Sequence, residues 1–289
     1  MPKPYTGPPP ILVGYDASDD AVRALEYAAR VAAASKTMLQ LVYVADDTVV
    51  NSPWGLVFDA GDVQATARRL LAEAALMANA LGVAKKRIRV KVAVGSPVGV
   101  LTQLSQNCSM VVVGRRANTS HSRQFSGSTS VGLAASVRCP LAVVADAADY
   151  PQGPVGVALE AGGAGVSALD WVLGNPLFAG QPVSVVTVCK APQSRIFRSS
   201  VSQEQIDTAM AQTVTQQAAL VAEVVARHPS APPIHTEVRY GSPVDELAAF
   251  SETVSVLALG TDVRFPTYTV GSVARGVMTH AGCPVVLVK

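Results

Sequence analysis

Residues 10–16 read PILVGYD, and residues 154–160 read PVGVALE. Each is a short apolar run that closes on an acid, Asp16 in one and Glu160 in the other. A continuous apolar run of this length suits a strand buried on both faces, as in a parallel sheet. The two acids are 144 residues apart (160 − 16), and the same offset pairs Leu25 with Leu169. GSPV at 95–98 recurs at 241–244, and Gly114 after MVVV recurs as Gly260 after VLAL, both at an offset of 146. Gly127-Ser128 and Gly271-Ser272, then Cys139-Pro140 and Cys283-Pro284, return to 144. A period of ~145 residues is the size of a domain, not of a solenoid unit. The chain of 289 residues therefore reads as two copies of one domain, 1–148 and 149–289. The joint lies near DAADYPQG at 146–153. The second copy is two residues shorter between its paired glycines, Gly260 and Gly271.

Within the first copy, apolar runs alternate with helical periodicity. Residues 10–15 form a first strand, and Ser18 or Asp19 can cap the helix that follows. Ala21, Leu25, Ala28, Ala29 and Ala32 recur at three or four, which makes one apolar face. Residues 38–44 form a second strand, and an Ala/Leu helix over 62–81 ends at Gly82. Residues 88–94 alternate as a third strand. GSPV opens a helix with Pro97 in its first turn, where the missing N–H costs nothing. Residues 110–113 and 141–145 complete the strands, with a helix from Gly127 to about Val137 between them. This order predicts an α/β fold: two tandem, doubly wound, five-stranded parallel sheets in the Rossmann-like order 3-2-1-4-5.

Composition narrows the function classes. Hydrophobic residues make up 49% and charged residues 15%, with a mean hydropathy of +0.30. That is too apolar for disorder and too poor in charge for a coiled coil. The net charge is +2 with no basic cluster, so no nucleic-acid partner is expected. Residues 1–10 (MPKPYTGPPP) lack the apolar core of a signal peptide. The longest apolar runs hold four to five residues, against the ~20 of a membrane helix, so no membrane partner is expected. The four cysteines show no CxxC spacing. A cytoplasmic protein with buried thiols is the expectation.

In such sheets ligands sit at the carboxyl ends of the strands, where the strand order reverses. Here that crevice lies between strands one and four. After strand one come Asp16, Ala17 and Ser18. After strand four come Gly114, then RRANTSHSRQFS, then Gly127-Ser128-Thr129 entering a helix. Free N–H groups at that helix start, with two hydroxyls, suit phosphate. The carboxylate of Asp16 suits ribose hydroxyls or an adenine amine. The same residues also fit an ordinary turn at Gly114 and ordinary helix caps at Asp16 and Gly127-Ser128. Spacing alone leaves both readings open. Arg115, Arg116 and Arg123 face phosphates in one reading and keep an apolar domain soluble in the other.

The spacing Gly114-x2-Ala117-x9-Gly127-Ser128 resembles the G-x2-G-x9-G-(S/T) nucleotide loop of universal stress proteins. VGYDAS at 13–18, the V-x-x-GSP run at 92–97 and CPLAVV at 139–144 stand in that family's places and order. The resemblance covers both copies and implies a tandem universal stress protein. It implies adenosine and phosphate contacts at Asp16, Val44, Gly114, Arg116, Ala117, Gly127, Ser128 and Thr129, with ATP, possibly with Mg²⁺, as the ligand. It also implies a homodimer or an intramolecular pseudo-dimer through the last strands, 141–145 and 284–288.

Several positions depart from the family pattern. Ala117 replaces the second glycine, and its methyl group opposes positive φ and close phosphate approach. In the second copy Glu160 replaces the Asp, Val263 occupies the second glycine position, and Pro266 stiffens a shortened loop. The expectation is one site in the first copy and a degenerate second copy. The alternative is a nucleotide-independent stress or scaffold protein acting through its dimer surface. No general base stands near the loop, so catalysis beyond slow ATP hydrolysis is not expected.

Other motifs fail on context. Gly163-x-Gly165-x-x-Ala168 imitates a dinucleotide fingerprint, but its second strand ends in Val188-Cys189-Lys190 without the required acid. Gly127-x4-Gly132 is followed by Leu133, not the Lys of a Walker loop. An adenylate-forming enzyme would want a Gly/Ser-rich turn after strand one. The first copy has DASDD there, whose acids repel phosphate, while EAGGAG in the second copy is more permissive. The four histidines show no metal-like spacing. His228 and His280 read as residues of last helical turns, favoured by the helix dipole.

Overall fold

The computed structural model describes residues 8–46, 60–115, 128–145, 151–190, 202–261 and 271–289, with the side chains of 60–62 and 128 excepted. The chain divides into two compact units, Met1–Asp146 and Ala147–Lys289.

In the first unit the described elements are β1 (Ile11–Gly14), α1 (Asp19–Ala34), β2 (Leu39–Ala45), α2 (Ala60–Ala80), β3 (Ile88–Val94), α3 (Pro97–Ser105), β4 (Met110–Gly114), α4 (Ser128–Ser136) and β5 (Leu141–Val144). The strands pair in parallel in the order β3-β2-β1-β4-β5. Helices separate successive strands, which is what parallel pairing demands. Strands β1, β4 and β5 carry near-continuous apolar runs, and Leu12, Val13, Val111, Val112, Leu141 and Ala142 are all buried.

Local chemistry sets the element ends. Ser18 caps α1, its Oγ accepting from the Ala21 N–H at 3.2 Å. The alanine-rich face of α1 packs flat on the sheet, with Ala24, Leu25, Ala28 and Ala29 buried. Pro97 opens α3 at its first position. The preceding Gly95 has φ +137°, and its counterpart Gly241 has φ +155°. Both lie in the region where side chains are strained, so the glycine of each GSPV motif is a backbone requirement.

In the second unit the described elements are β6 (Val155–Ala158), α5 (Val166–Gly174), β7 (Val183–Lys190), α6 (Gln203–Val225), β8 (Ile234–Gly241), α7 (Pro243–Ser251), β9 (Val256–Gly260), α8 (Ser272–His280) and β10 (Val285–Val288). The parallel order is β8-β7-β6-β9-β10. On α6, Ser202 and Gln205 form a reciprocal capping box. Gln217 is buried under β7 and β8, where its amide donates to the Thr187 hydroxyl and the Glu237 carbonyl.

The packing also explains a motif rejected as a Walker loop. A Cβ on Gly132 would stand 2.7 Å from Val98 Cγ2, and one on Gly276 would stand 2.7 Å from Val244 Cγ1. In each unit the valine of GSPV presses onto a glycine of the last helix. Gly132 is a helix-packing residue.

Candidate functional site

The crevice of the first unit begins where β1 ends. Gly14 pairs with Val42, and the Tyr15 N–H donates to the Val42 carbonyl. Two residues on comes Asp16, beyond the end of β1, and Val44 stands near the carboxyl end of the neighbouring β2. The chain then turns sharply through Ala17, which has φ +62°. Asp16 Oδ1 accepts from both the backbone N–H and the hydroxyl of Ser18, at 3.0 and 2.6 Å. The carboxylate is thereby fixed at the carboxyl end of β1, half-buried, beside the capped start of α1. Tyr15 is buried next to it. Burial, then the charges of Glu73 and Asp16, push the Tyr15 phenol above its ordinary value.

Gly114 closes β4 on the other side of the crevice. A Cβ there would lie 2.8 Å from the Asp20 carbonyl carbon and 2.9 Å from the Ala21 nitrogen. The first turn of α1 thus rests on this glycine. The sequence left Gly114 open between a turn and a phosphate contact. The structure shows a third cause, the close approach of a helix backbone.

Helix α4 starts at the carboxyl end of β4. Buried Ser130 tethers it, its hydroxyl donating to the Arg115 carbonyl at 3.3 Å. Thr129 stands in this first turn. Ser128 is the first residue of α4. Arg116, Ala117 and Gly127 lie outside the described residues, as does Arg123. Of the expected contacts, Asp16, Val44 and Gly114 are therefore gathered at three adjacent strand ends, with Thr129 in the helix that follows.

Two residues at this corner escaped the sequence reading. Asp20 is a buried acid in the first turn of α1, at 4% exposure. Its position four residues before Ala24 and eight before Ala28 put it on the buried face, but its charge hid that. Ser130 follows two hydroxyl residues and reads as more of the same cap.

The second unit differs at the same place. The turn after β6 folds back on itself: the Glu160 N–H donates to the Ala164 carbonyl, and the Gly163 N–H to the Glu160 carbonyl. Gly163 and Gly165 have φ +92° and +94°. A side chain on Gly165 would strike the Ala158 carbonyl oxygen, and one on Gly260 would come within 2.6 Å of Gly165. The imitation fingerprint Gly163-x-Gly165 is accounted for by this turn. The carboxylate of Glu160 forms an ion pair with Lys190 at the end of β7. Val155 pairs with Val183 as Ile11 pairs with Leu39, so Lys190 is the counterpart of Asp46. An acid in the first unit is a base in the second.

The expectation for His228 is corrected. Helix α6 ends at Val225, and His228 lies beyond it. Its Nε2 is 3.1 Å from Asp170 Oδ1 on α5, and Arg227 is 3.4 Å from the same oxygen. An acid on a neighbouring helix holds its ring. His280 does lie in the last turn of α8. Among the described residues no three His, Cys, Asp or Glu side chains gather as a metal site. No helix described is long and apolar enough to cross a membrane.

Two tandem units, each a parallel α/β sheet with its acid after the first strand, define a tandem-repeat α/β protein. The model of the universal stress protein family matches residues 9–145 and again residues 153–289, and the chain belongs to that family. It is 33% identical over 134 residues to Universal stress protein Rv3134c of Mycobacterium tuberculosis strain H37Rv, and equally to Universal stress protein MT3220 of strain CDC 1551. These matches cover 46% of this chain and 47% of each relative, so the chain spans about half the length of the curated relatives it matches. A universal stress protein from Archaeoglobus fulgidus DSM 4304 has a similar fold, with a TM-score of 0.67 at 18% identity over 96% of this chain and 97% of that one. A putative universal stress protein from Pseudomonas aeruginosa UCBPP-PA14 gives 0.62 at 13% identity, over 98% and 94%.

Proposed function

We propose that the first unit binds an adenine nucleotide, ATP in the first instance, and that the protein acts as a regulator in the stress response. The observation that carries this reading is the setting of Asp16. Its carboxylate is oriented by Ser18 just beyond the carboxyl end of the central strand β1, which pairs with β2 on one side and β4 on the other. A fixed acceptor at a strand-order reversal suits the hydroxyls of a ribose. The start of α4, with Ser128 and Thr129, supplies N–H groups and hydroxyls for phosphates. Mg²⁺ would arrive with those phosphates, since it is commonly held through one or two protein groups and the nucleotide itself.

In the second unit Glu160 is already paired with Lys190, and the turn that would meet the ligand is closed by its own hydrogen bonds. That supports one nucleotide per chain. Binding regulates only if the nucleotide prefers one conformation or partner state over another. Hydrolysis, if present, is slow in this reading.

The scaffold reading draws on Gly114, whose close contact with α1 needs no ligand. Calorimetric titration with ATP and Mg²⁺ separates the two. Saturable heat that disappears in Asp16→Ala supports the nucleotide reading. No heat in the parent chain favours the scaffold.

A further inference from the structure

The net charge of +2 hides one local excess. Residues 85–91 read KKRIRVK, five cations in seven residues, and correct the expectation of a chain without a basic cluster. Lys85–Arg87 form a single 3₁₀ turn, and Arg89 and Lys91 follow in β3. Lys85, Lys86, Arg89 and Lys91 are exposed, and none of the five cations forms an ion pair with a described residue. The strand is also an edge. Among the described residues β3 pairs with β2 alone, and its outer row of backbone N–H and C=O groups meets no other strand there. Arg89 and Lys91 lie on one face of the strand, Val90 and Val94 on the other, and the two valines are 53% and 67% exposed.

The second unit shows that the fold does not need these charges. Leu39 pairs with Ile88 as Val183 pairs with Ile234, so Arg89, Val90 and Lys91 correspond to His235, Thr236 and Glu237. At the same offset, Lys86 and Arg87 correspond to Pro232 and Pro233. Glu237 is paired with Arg239 at 2.8 Å. One edge strand is thus proline-led and charge-balanced, and the other is basic and unpaired. Lysines do guard an edge against self-association, but guarding gives no reason for exposed valines beside them. A second copy of β3 would set like charges opposite one another, which opposes pairing. A nucleic-acid strand would use the cations but not the valines, and residues 85–94 hold no aromatic ring on which a base could stack.

We propose that β3 is a docking edge for an extended acidic segment of another protein, which adds to the sheet as a further strand with carboxylates and apolar side chains at alternate positions. An added strand has the same two-residue period as β3. Its carboxylates therefore fall beside Arg89 and Lys91, and its apolar side chains beside Val90 and Val94. Backbone hydrogen bonds along the free edge supply affinity, and the alternation supplies specificity. Lys85, Lys86 and Arg87, in the turn before the strand, draw the acidic segment in from solvent.

The test is fluorescence anisotropy of the full chain with a labelled peptide of alternating Glu and Val, and with the same residues rearranged into a Glu block and a Val block. The alternating peptide should bind saturably and more weakly as salt is added. The block peptide should bind about tenfold more weakly. N-methylation of the alternating peptide at every second residue should abolish binding in one parity and spare it in the other, because an added strand turns only every second N–H towards its neighbour. Arg89→His with Lys91→Glu copies the second unit. It should keep the fold by circular dichroism and bind the alternating peptide about tenfold more weakly. Arg89→Glu with Lys91→Glu should take an alternating Lys/Val peptide in its place. Equal binding of the block peptide, or indifference to N-methylation in both parities, would overturn the added strand. Tighter binding of a single-stranded oligonucleotide of equal charge would assign the edge to nucleic acid and overturn the proposal. So would the absence of binding by either peptide.

Discussion

Lys190 Nζ donates to Glu160 Oε1 across the carboxyl ends of β7 and β6. The corresponding pair in the first unit is Asp46 and Asp16, so the sign of the charge at the end of the second strand is reversed between the two crevices. Both Lys190 and Glu160 are half-exposed. Solvent screens such a pair, and its contribution to stability is ~0–1 kcal/mol. Lys190→Ala should therefore shift the urea midpoint only slightly. A loss well beyond ~1 kcal/mol would show that the pair holds the β6–α5 turn together.

The contact of Gly114 with α1 makes a ligand-free prediction. Gly114→Ala forces a methyl group into the backbone of Asp20 and Ala21, and overpacking of this kind costs ~1–3 kcal/mol. Gly260→Ala should behave alike, because its methyl group meets the backbone of Gly165. Denaturation in the absence of any nucleotide is the measurement. Unchanged stability in both variants would return Gly114 to a role in ligand contact alone.

Helix packing in each unit is tested by a double-mutant cycle. Gly132→Ala should lose ~1–3 kcal/mol against Val98. Adding Val98→Ala removes the γ carbons that obstruct the new methyl group, so the double variant should lose less than the sum of the two single changes. The same cycle on Gly276 and Val244 should give coupling of the same sign. Strict additivity would contradict the contact.

Cys108 gives the molecule an alkaline slope. Its folded thiol keeps a proton up to about pH 12, while the unfolded thiol releases it near 9.0. Between these values the unfolded chain binds fewer protons, so stability falls as pH rises. The contribution is complete below 9.0 and gone at about 12. Buried Tyr15, also raised, acts in the same direction. Thermal unfolding across this range should be less pH-dependent in Cys108→Val than in the parent chain. An unaltered slope would mean that Cys108 is not shifted.

The repeat made most of the fold legible. Once PILVGYD and PVGVALE were aligned, the strand and helix spans of the first copy followed to within a few residues, because each rests on apolar period and cap chemistry. Asp16, Val44, Gly114 and Thr129 could be placed because strand ends are readable. What sequence could not supply were causes acting across the fold. Gly132 looked like half of a Walker loop and packs on Val98. Gly165 looked like half of a dinucleotide fingerprint and clears the Ala158 carbonyl. His228 looked like a dipole cap and bonds Asp170 on another helix. The contacts of Gly132 and His228 join residues 34 and 58 positions apart, and that of Gly165 depends on how its turn folds back on β6, so a motif pattern encodes none of them.

The central claim is one nucleotide per chain, held in the first unit. Its most direct test is the stoichiometry of adenine nucleotide released by denaturing chain saturated with ATP and freed of excess, quantified by mass spectrometry. The account predicts close to one per chain, and none from Asp16→Ala. Two per chain, or one per chain that persists in Asp16→Ala, would contradict it.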